Sequence, residues 1–154
     1  MDTSTSSATE PLSERRVDQL LIHYGLSHRN PVNERIHMVA IPLIMLSLLG
    51  LLWSAHPWLA WGFVAASMVY YARLSLIFTL TMAVVSLIGL GLVSAMGNWA
   101  LPLSAAIFVA AWIGQFIGHK LEGKKPSFFE DIQYLWVGPL FVVSKLFQKV
   151  GARW

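Results

Sequence analysis

The sequence of 154 residues contains no cysteine. That absence excludes disulfides, thiolate metal ligands, iron–sulfur clusters and cysteine nucleophiles, and leaves the redox compartment undetermined. Charge is also scarce, because Asp, Glu, Lys and Arg make up 12% of the residues, against about 25% in typical soluble domains. Between residues 36 and 119 the only such residue is Arg73. Any metal site must therefore use histidine, carboxylate or amide groups.

Two long stretches, residues 36–72 and 74–119, contain no charged side chain, and 56% of the whole chain is hydrophobic. A membrane-spanning helix needs roughly 20 predominantly apolar residues. A soluble protein of this size has no core large enough to bury such stretches. We therefore expect an all-α integral membrane protein, with one compact membrane-embedded helical domain at residues 13–150. A disordered polar tail at residues 1–12 is expected before it, with no cleavable signal peptide.

The hydrophobic pattern predicts four transmembrane helices, at residues 36–53, 57–72, 74–96 and 99–119, with turns at His56 and at Gly97. Asn30 and Pro31 are typical of an N-cap and the first position of a helix. An amphipathic interfacial helix is predicted on each side of the four spans, at residues 13–24 and 132–147. Whether the segment 132–147 spans the membrane, re-enters it or lies on it is left open.

We expect the basic residues to lie at one membrane face, because they occur before the first span, between the second and third spans, and after the fourth. The intervening turns carry no Lys or Arg, and Trp53, Trp58, Trp61 and Trp99 cluster there as interfacial aromatics do. This pattern predicts cytoplasmic termini, in a bacterial inner membrane or in the endoplasmic reticulum of a eukaryote. The net charge of +3 fits contact with anionic membrane lipid, and no nucleic-acid partner is expected.

Histidines stand on both sides of the uncharged region, His28 and His37 before it and His119 after it. With an even number of crossings, the start of the first span and the end of the fourth lie at the same membrane face. The three side chains can therefore converge, whereas His56 belongs to the opposite face. Neutral imidazole is the commonest protein ligand of transition metals, so the pattern favours a metal site. One histidine alone at an interface is more often a simple anchor.

Polar and small residues accompany these histidines at helical spacing. Asn33 precedes His37 by four residues, and Gln115, His119 and Glu122 follow one another on one face. Amide and carboxylate neighbours fix the orientation of metal-binding imidazoles. Gly114 and Gly118 indicate close helix packing. Lys124 and Lys125 are interpreted as membrane-surface anchors, with the alternative that they hold a substrate carboxylate.

Two motifs carry a family resemblance: HRNPVNERIH at residues 28–37, and WIGQFIGH at residues 112–119, followed by Glu122, Pro126 and Asp131. Together they resemble the Mpo1-like family of small integral membrane proteins, over about residues 17–150. The combination of the two motifs is specific, because neither is a general pattern of membrane helices.

The resemblance implies an iron(II)-dependent dioxygenase that converts a 2-hydroxy fatty acid to the fatty acid one carbon shorter and carbon dioxide. It implies His28, His37 and His119 as metal-site residues, with Glu122 as an additional candidate ligand and Asn33 and Gln115 as groups that orient the ligands. The expected partners are the 2-hydroxy fatty acid, dioxygen and membrane lipid, and the oligomeric state is open. The alternatives are a bis-histidine haem electron carrier and a non-catalytic membrane scaffold or transporter.

Overall fold

The computed structural model describes residues 15–124, 131–132 and 134–154, so the predicted disordered tail lies outside the described part. The helices are α1 (Arg16–Leu26), α2 (Pro31–Ala55), α3 (Pro57–Ala72), α4 (Leu76–Ala95), α5 (Ala100–Leu121) and α6 (Val137–Val150), with a 3-10 turn at Gly97–Trp99 before α5. No strand occurs in the described residues. The all-α prediction is confirmed.

The predicted N-cap at the start of α2 and the predicted turn between α2 and α3 are both present. The Asn30 side chain accepts hydrogen bonds from the backbone amides of Val32 and Asn33 at 2.9 and 3.4 Å, and Pro31 occupies the first helical position. At the other end His56 is the N-cap of α3, and its Nδ1 accepts from the Trp58 amide at 3.3 Å. These caps satisfy amides that the first turn of a helix leaves without partners.

α2 and α5 make the most extensive helix contact and run antiparallel. Near the start of α2, Asn33 faces Gly118 of α5, and near the end of α2, Gly50 faces Ser104. This direction places the first turns of α2 beside the last turns of α5.

α3 runs back along α2, and α4 runs parallel to α2. Late in α2, Leu49 packs in one apolar cluster with Ala60, early in α3, and with Leu90, late in α4. Early in α2, Ile41 packs in another cluster with Tyr71, late in α3, and Phe78, early in α4. The chain therefore returns through the bundle along α3.

Three segments are long and apolar enough to cross a membrane: α2, α4 and Gly97–Leu121. α3 has 16 residues, which rise about 24 Å against a hydrocarbon thickness of about 30 Å. Three of the four predicted spans therefore have the length and hydrophobicity that a crossing needs, and the prediction of four transmembrane helices is not confirmed. Large apolar side chains cover the outer faces of α4 and α5, among them Leu80, Val84, Leu87, Leu92, Val109 and Ile113.

The two flanking helices differ from their predicted bounds. Residues 13 and 14 lie outside the described part, and α1 continues past Gly25 to Leu26. α6 begins at Val137 rather than at residue 132, because residues 134–136 form a turn, and residue 133 is not described. Every residue at positions 137–144 is buried, so this half of α6 is enclosed on all sides rather than lying on a surface. With 14 residues, or about 21 Å, α6 is shorter than α3 and is not among the helices long enough to span by length and hydrophobicity.

The turn before α6 is tied to α3. The Trp136 indole donates to Ser67 Oγ at 2.9 Å, and Tyr71 Oη donates to the Trp136 carbonyl at 3.1 Å. α6 also contacts α1 and α2, and Lys145 forms an ion pair of 3.0 Å with Glu34 of α2. The enclosed half of α6 thereby completes the core beside the start of α2.

Candidate functional site

The structure brings together the three histidines of the two motifs. His28 lies in the connection before α2, His37 in the second turn of α2, and His119 in the last turn of α5. The ring centroids of His28 and His37 are 4.3 Å apart, those of His37 and His119 5.1 Å, and those of His28 and His119 6.2 Å. All three side chains are buried. His56 lies at the other end of α2, roughly 28 Å away along the helix axis.

Backbone carbonyls fix the tautomers of His28 and His37. His28 Nδ1 lies 2.8 Å from the Tyr24 carbonyl, and His37 Nδ1 lies 3.0 Å from the Asn33 carbonyl. A carbonyl only accepts, so Nδ1 carries the hydrogen in both rings. Each neutral ring then keeps its lone pair on Nε2. Both Nε2 atoms are buried and have no hydrogen-bond partner among the described residues, which is the state of an imidazole prepared to bind a metal.

His119 is held differently, by a carboxylate. Its Nε2 lies 2.8 Å from Asp131 Oδ1, and a carboxylate accepts, so Nε2 is the protonated nitrogen of the neutral ring. Nδ1 is then the basic atom of His119. The other carboxylate oxygen, Asp131 Oδ2, is buried without a hydrogen-bond partner in the described part of the chain.

Asp131 had no predicted role. It follows His119 by 12 residues, across a segment at 125–130 that the structure does not describe. Helical periodicity relates residues within one helix, and Asp131 lies ten residues beyond the end of α5 at Leu121. The only signal was the presence of Asp131 beside the second motif.

Both oxygens of Glu122 engage the start of α2. Oε1 accepts from the backbone amide of Arg29 at 2.9 Å, and Oε2 accepts from the amide of Asn30 and from Asn33 Nδ2, each at 2.9 Å. The positive end of the α2 dipole also favours a carboxylate here. Burial opposes the charge, but the bonds from Asn33, Asn30 and Arg29 outweigh it and hold the pKa of Glu122 below its ordinary value of 4.5. The contacts of Glu122 are those of a clamp between α5 and α2.

Burial lowers the pKa of His28 below its ordinary value of 6.5. Its hydrogen bond to Tyr24 opposes this shift, and the neighbouring His119 adds to it. At neutral pH the His28 ring is therefore uncharged. Only the uncharged ring can donate an electron pair to a metal.

The two amide residues lie one turn before two of the histidines. Asn33 is fully buried, and Gln115 is 5% exposed. Asn33 Oδ1 and Gln115 Oε1 have no hydrogen-bond partner among the described residues. Buried amide oxygens without partners are costly, so these two atoms mark a place where a ligand or water would be stabilised.

Gly118 allows α5 to approach this cluster, as the pattern of small residues predicted. A Cβ at Gly118 would overlap Asn33 Oδ1 and lie 3.1 Å from His37 Cε1. A Cβ at Gly114 would lie 3.8 Å from Ile36, an ordinary contact. Lys124 is exposed at the end of α5, and Lys125 is outside the described residues.

The donor set of the cluster fits a divalent transition metal. Within the described residues no group of three His, Asp or Glu side chains is already arranged around a metal position. The fit instead rests on two buried, unpartnered Nε2 atoms of fixed tautomer, beside a third ring whose Nε2 is occupied by Asp131. Imidazole ligands suit iron(II) as well as zinc or copper.

A protein-family model described as Mpo1-like, 2-hydroxy-palmitic acid dioxygenase Mpo1-like, matches residues 15–150. The matched region includes α1 to α6 and every residue of the histidine cluster. No curated protein and no solved structure matches the chain.

Proposed function

The chain belongs to the Mpo1-like family, and from this membership we propose that it is a membrane-embedded, iron(II)-dependent dioxygenase. Its reaction would convert a 2-hydroxy fatty acid to the acid one carbon shorter and carbon dioxide. The observation that carries the proposal is the pair of buried, unpartnered Nε2 atoms on His28 and His37, in contact with the ring of His119. The oxidation releases as many electrons as one dioxygen takes up on reduction to the level of water, so the stoichiometry requires no cosubstrate.

The residues that would hold iron are His28 and His37 through Nε2, and His119 through Nδ1. When bound, iron(II) would supply coordination sites for the 2-hydroxyl and carboxylate of the substrate and the redox chemistry with dioxygen. Asp131 would keep the proton on His119 Nε2 and so present Nδ1 to the metal. Glu122, the additional candidate ligand, would act instead through its hydrogen bonds to the start of α2.

The surrounding chain contributes orientation and exclusion of water. The carbonyls of Tyr24 and Asn33 hold the Nδ1 protons of the two rings, which prevents either ring from turning its Nδ1 toward the substrate. Asn33 and Gln115 place unpartnered amide oxygens beside the cluster, where a substrate hydroxyl could donate a hydrogen bond. The burial of all these side chains keeps the site dry, which strengthens the electrostatic interactions within it.

The ring packing does not favour the haem alternative. His28 and His37 meet edge to face, and so do His37 and His119, whereas bis-histidine ligation places a porphyrin between two imidazoles. A Soret band in the purified protein would nevertheless count for haem.

For the membrane arrangement we propose four crossings with both termini in the cytoplasm. Support comes from α3, which runs antiparallel to α2 and α4, and from the basic residues at the histidine end. Trp58 and Trp99 are exposed at the opposite end, 75% and 73%, as interfacial aromatics are.

Single cysteines introduced into this cysteine-free chain test the topology. Asn98→Cys should react with a membrane-impermeant maleimide in intact cells, whereas Lys124→Cys should react only after permeabilisation. The reverse pattern would contradict the proposed orientation.

Oxygen consumption and product analysis test the activity. The purified protein with iron(II) should convert 2-hydroxyhexadecanoic acid to pentadecanoic acid with one dioxygen consumed per product, without 2-oxoglutarate or NAD(P)H. Hexadecanoic acid should be inert, because it lacks the hydroxyl of the proposed chelate. Turnover without dioxygen, or a requirement for a keto acid, would overturn the proposal.

A further inference from the structure

We propose that an apolar cavity between α2, α3, α4 and α6 receives the hydrocarbon tail of the substrate, an inference that rests on the proposed function. The cavity has a volume of about 310 Å³. Ile41, Met45 and Leu49 of α2, Val64 of α3 and Val143 of α6 are among its lining residues. Binding cavities for small molecules are typically of about 300–1,000 Å³ and mostly apolar.

Two hydroxyl groups on the cavity wall, those of Ser67 and Tyr71, already form hydrogen bonds within the protein. Ser67 Oγ donates to the Phe63 carbonyl at 2.7 Å and accepts from the Trp136 indole. Tyr71 Oη donates to the Trp136 carbonyl. These hydroxyls offer little to a polar ligand, whereas a hydrocarbon chain gains from burial along the whole wall.

A second, much smaller cavity of about 20 Å³ adjoins this space. It shares Ile41, Met45 and Pro139 with the large cavity. Its wall also includes Asp131 and Gln115, which belong to the polar cluster. Asp131 contacts His119, and Ile41 lies one turn of α2 after His37. Because the shared residues include the flexible side chain of Met45, this side chain can move aside and let an acyl chain pass from one cavity into the other.

The large cavity is open on one side. Val85 and Ile88 of α4 and Leu146 of α6 line it, yet they are 48%, 59% and 49% exposed. This opening lies between apolar helix faces, where the bilayer would be. A fatty acid dissolved in the membrane can therefore enter from the side, with its carboxyl end toward the polar cluster and its methyl end in the cavity.

Two glycines of α4 provide a matched pair of variants. A Cβ at Gly89 would lie 3.2 Å from Leu49 Cδ1 and 3.9 Å from Leu46 Cδ1, and both leucines line the cavity. A Cβ at Gly91 meets no atom within 4 Å. Gly89→Leu should therefore shorten the cavity, whereas Gly91→Leu changes the same helix on an open face.

The variants should differ in chain-length preference. For Gly89→Leu, the ratio of kcat/KM for 2-hydroxyhexadecanoic acid to that for 2-hydroxyoctanoic acid should fall at least about tenfold, the effect of displacing about two methylenes. Gly91→Leu should keep the wild-type ratio. Equal loss on both substrates, or no change in the ratio, would overturn the assignment of the cavity.

A binding measurement separates this inference from the proposed activity. A 2-hydroxy fatty acid with a diazirine at its terminal carbon should label cavity residues such as Met45 and Leu49, and 2-hydroxyhexadecanoic acid should compete with it. Such labelling without any turnover would support the cavity and count against the dioxygenase. If the protein is active but the labels are confined to the outer face, at Leu80 and Leu87, the result would count against the cavity alone. The same conclusion would follow if phospholipid, but not the hydroxy acid, prevented the labelling.

Discussion

Glu122, at the end of α5, accepts a hydrogen bond of 2.9 Å from the side-chain amide of Asn33, in the first turn of α2. The backbone carbonyl of the same asparagine accepts from His37 Nδ1 at 3.0 Å. A carboxylate on one helix is thereby linked through one residue to a buried imidazole on another. The same set of contacts therefore holds α5 against α2 and fixes the tautomer of His37.

The Glu122 clamp should make the protein sensitive to acid. Because the pKa of Glu122 is lowered in the folded state, its carboxylate contributes stability above its ordinary pKa of 4.5, and this contribution is lost as the pH falls through the folded pKa. We expect Glu122→Gln to melt at a lower temperature than wild type at pH 7. The difference should shrink below about pH 4.5, as measured by thermal unfolding of chelator-treated protein. A temperature difference that is constant from pH 7 to pH 3 would contradict the clamp.

Replacement of Gly118 by alanine should disturb the site directly. The added methyl group would overlap Asn33 Oδ1 and press on His37, and overpacking of this kind costs about 1–3 kcal/mol of unfolding free energy. The unfolding temperature and the iron content of Gly118→Ala should both be lower than those of the wild type. Gly114→Ala is the control, since its methyl group would make only an ordinary contact with Ile36. Equal behaviour of the two variants would show that close packing at Gly118 is unimportant.

Loss of a buried imidazole should remove the metal while the protein remains folded. His28→Ala or His37→Ala deletes one of the two unpartnered Nε2 atoms, and we expect each variant to retain little iron and no turnover. His56→Ala should keep both, because His56 lies at the opposite end of α2. The measurements are metal content by mass spectrometry and helical content by circular dichroism. Full iron occupancy in both cluster variants would remove the basis for the site.

The meeting of His28, His37 and His119 was predictable because it depends only on the direction of the helices. Each uncharged stretch predicts one helix and each turn reverses the chain, so counting them shows that the end of α5 returns to the side where α2 begins. Helical spacing then places Asn33 and Gln115 on the same helix faces as His37 and His119. Finer relations depend on how far one helix is shifted along another. Sequence spacing placed Glu122 on the face of His119, but only the offset between α5 and α2 shows that its oxygens meet backbone amides.

The bounds of α3 were predictable, because residues 57–72 form an uncharged run between His56 and Arg73. Whether a helix of 16 residues crosses a bilayer depends on the helices packed around it, and its own composition does not reveal that. In α6 the spacing of apolar residues suggested a helix with one exposed side. Its first half is enclosed because α1 and α2 pack against it, and periodicity within one helix carries no information about how many neighbours surround it.

Asp131→Asn tests the contact that spacing did not predict. The amide can still accept from His119 Nε2 through its oxygen, but it lacks the negative charge that fixes the tautomer and raises the basicity of the ring. Loss of such a partner typically lowers metal affinity or activity about 10–100-fold, and we expect iron affinity to fall by that amount with little change in thermal stability of the metal-free protein. Iron titration of the stripped protein gives the affinity, and Asp131→Glu should restore part of it. Unchanged affinity in Asp131→Asn would mean that His119 is not oriented by this carboxylate, even if His28 and His37 bind the metal.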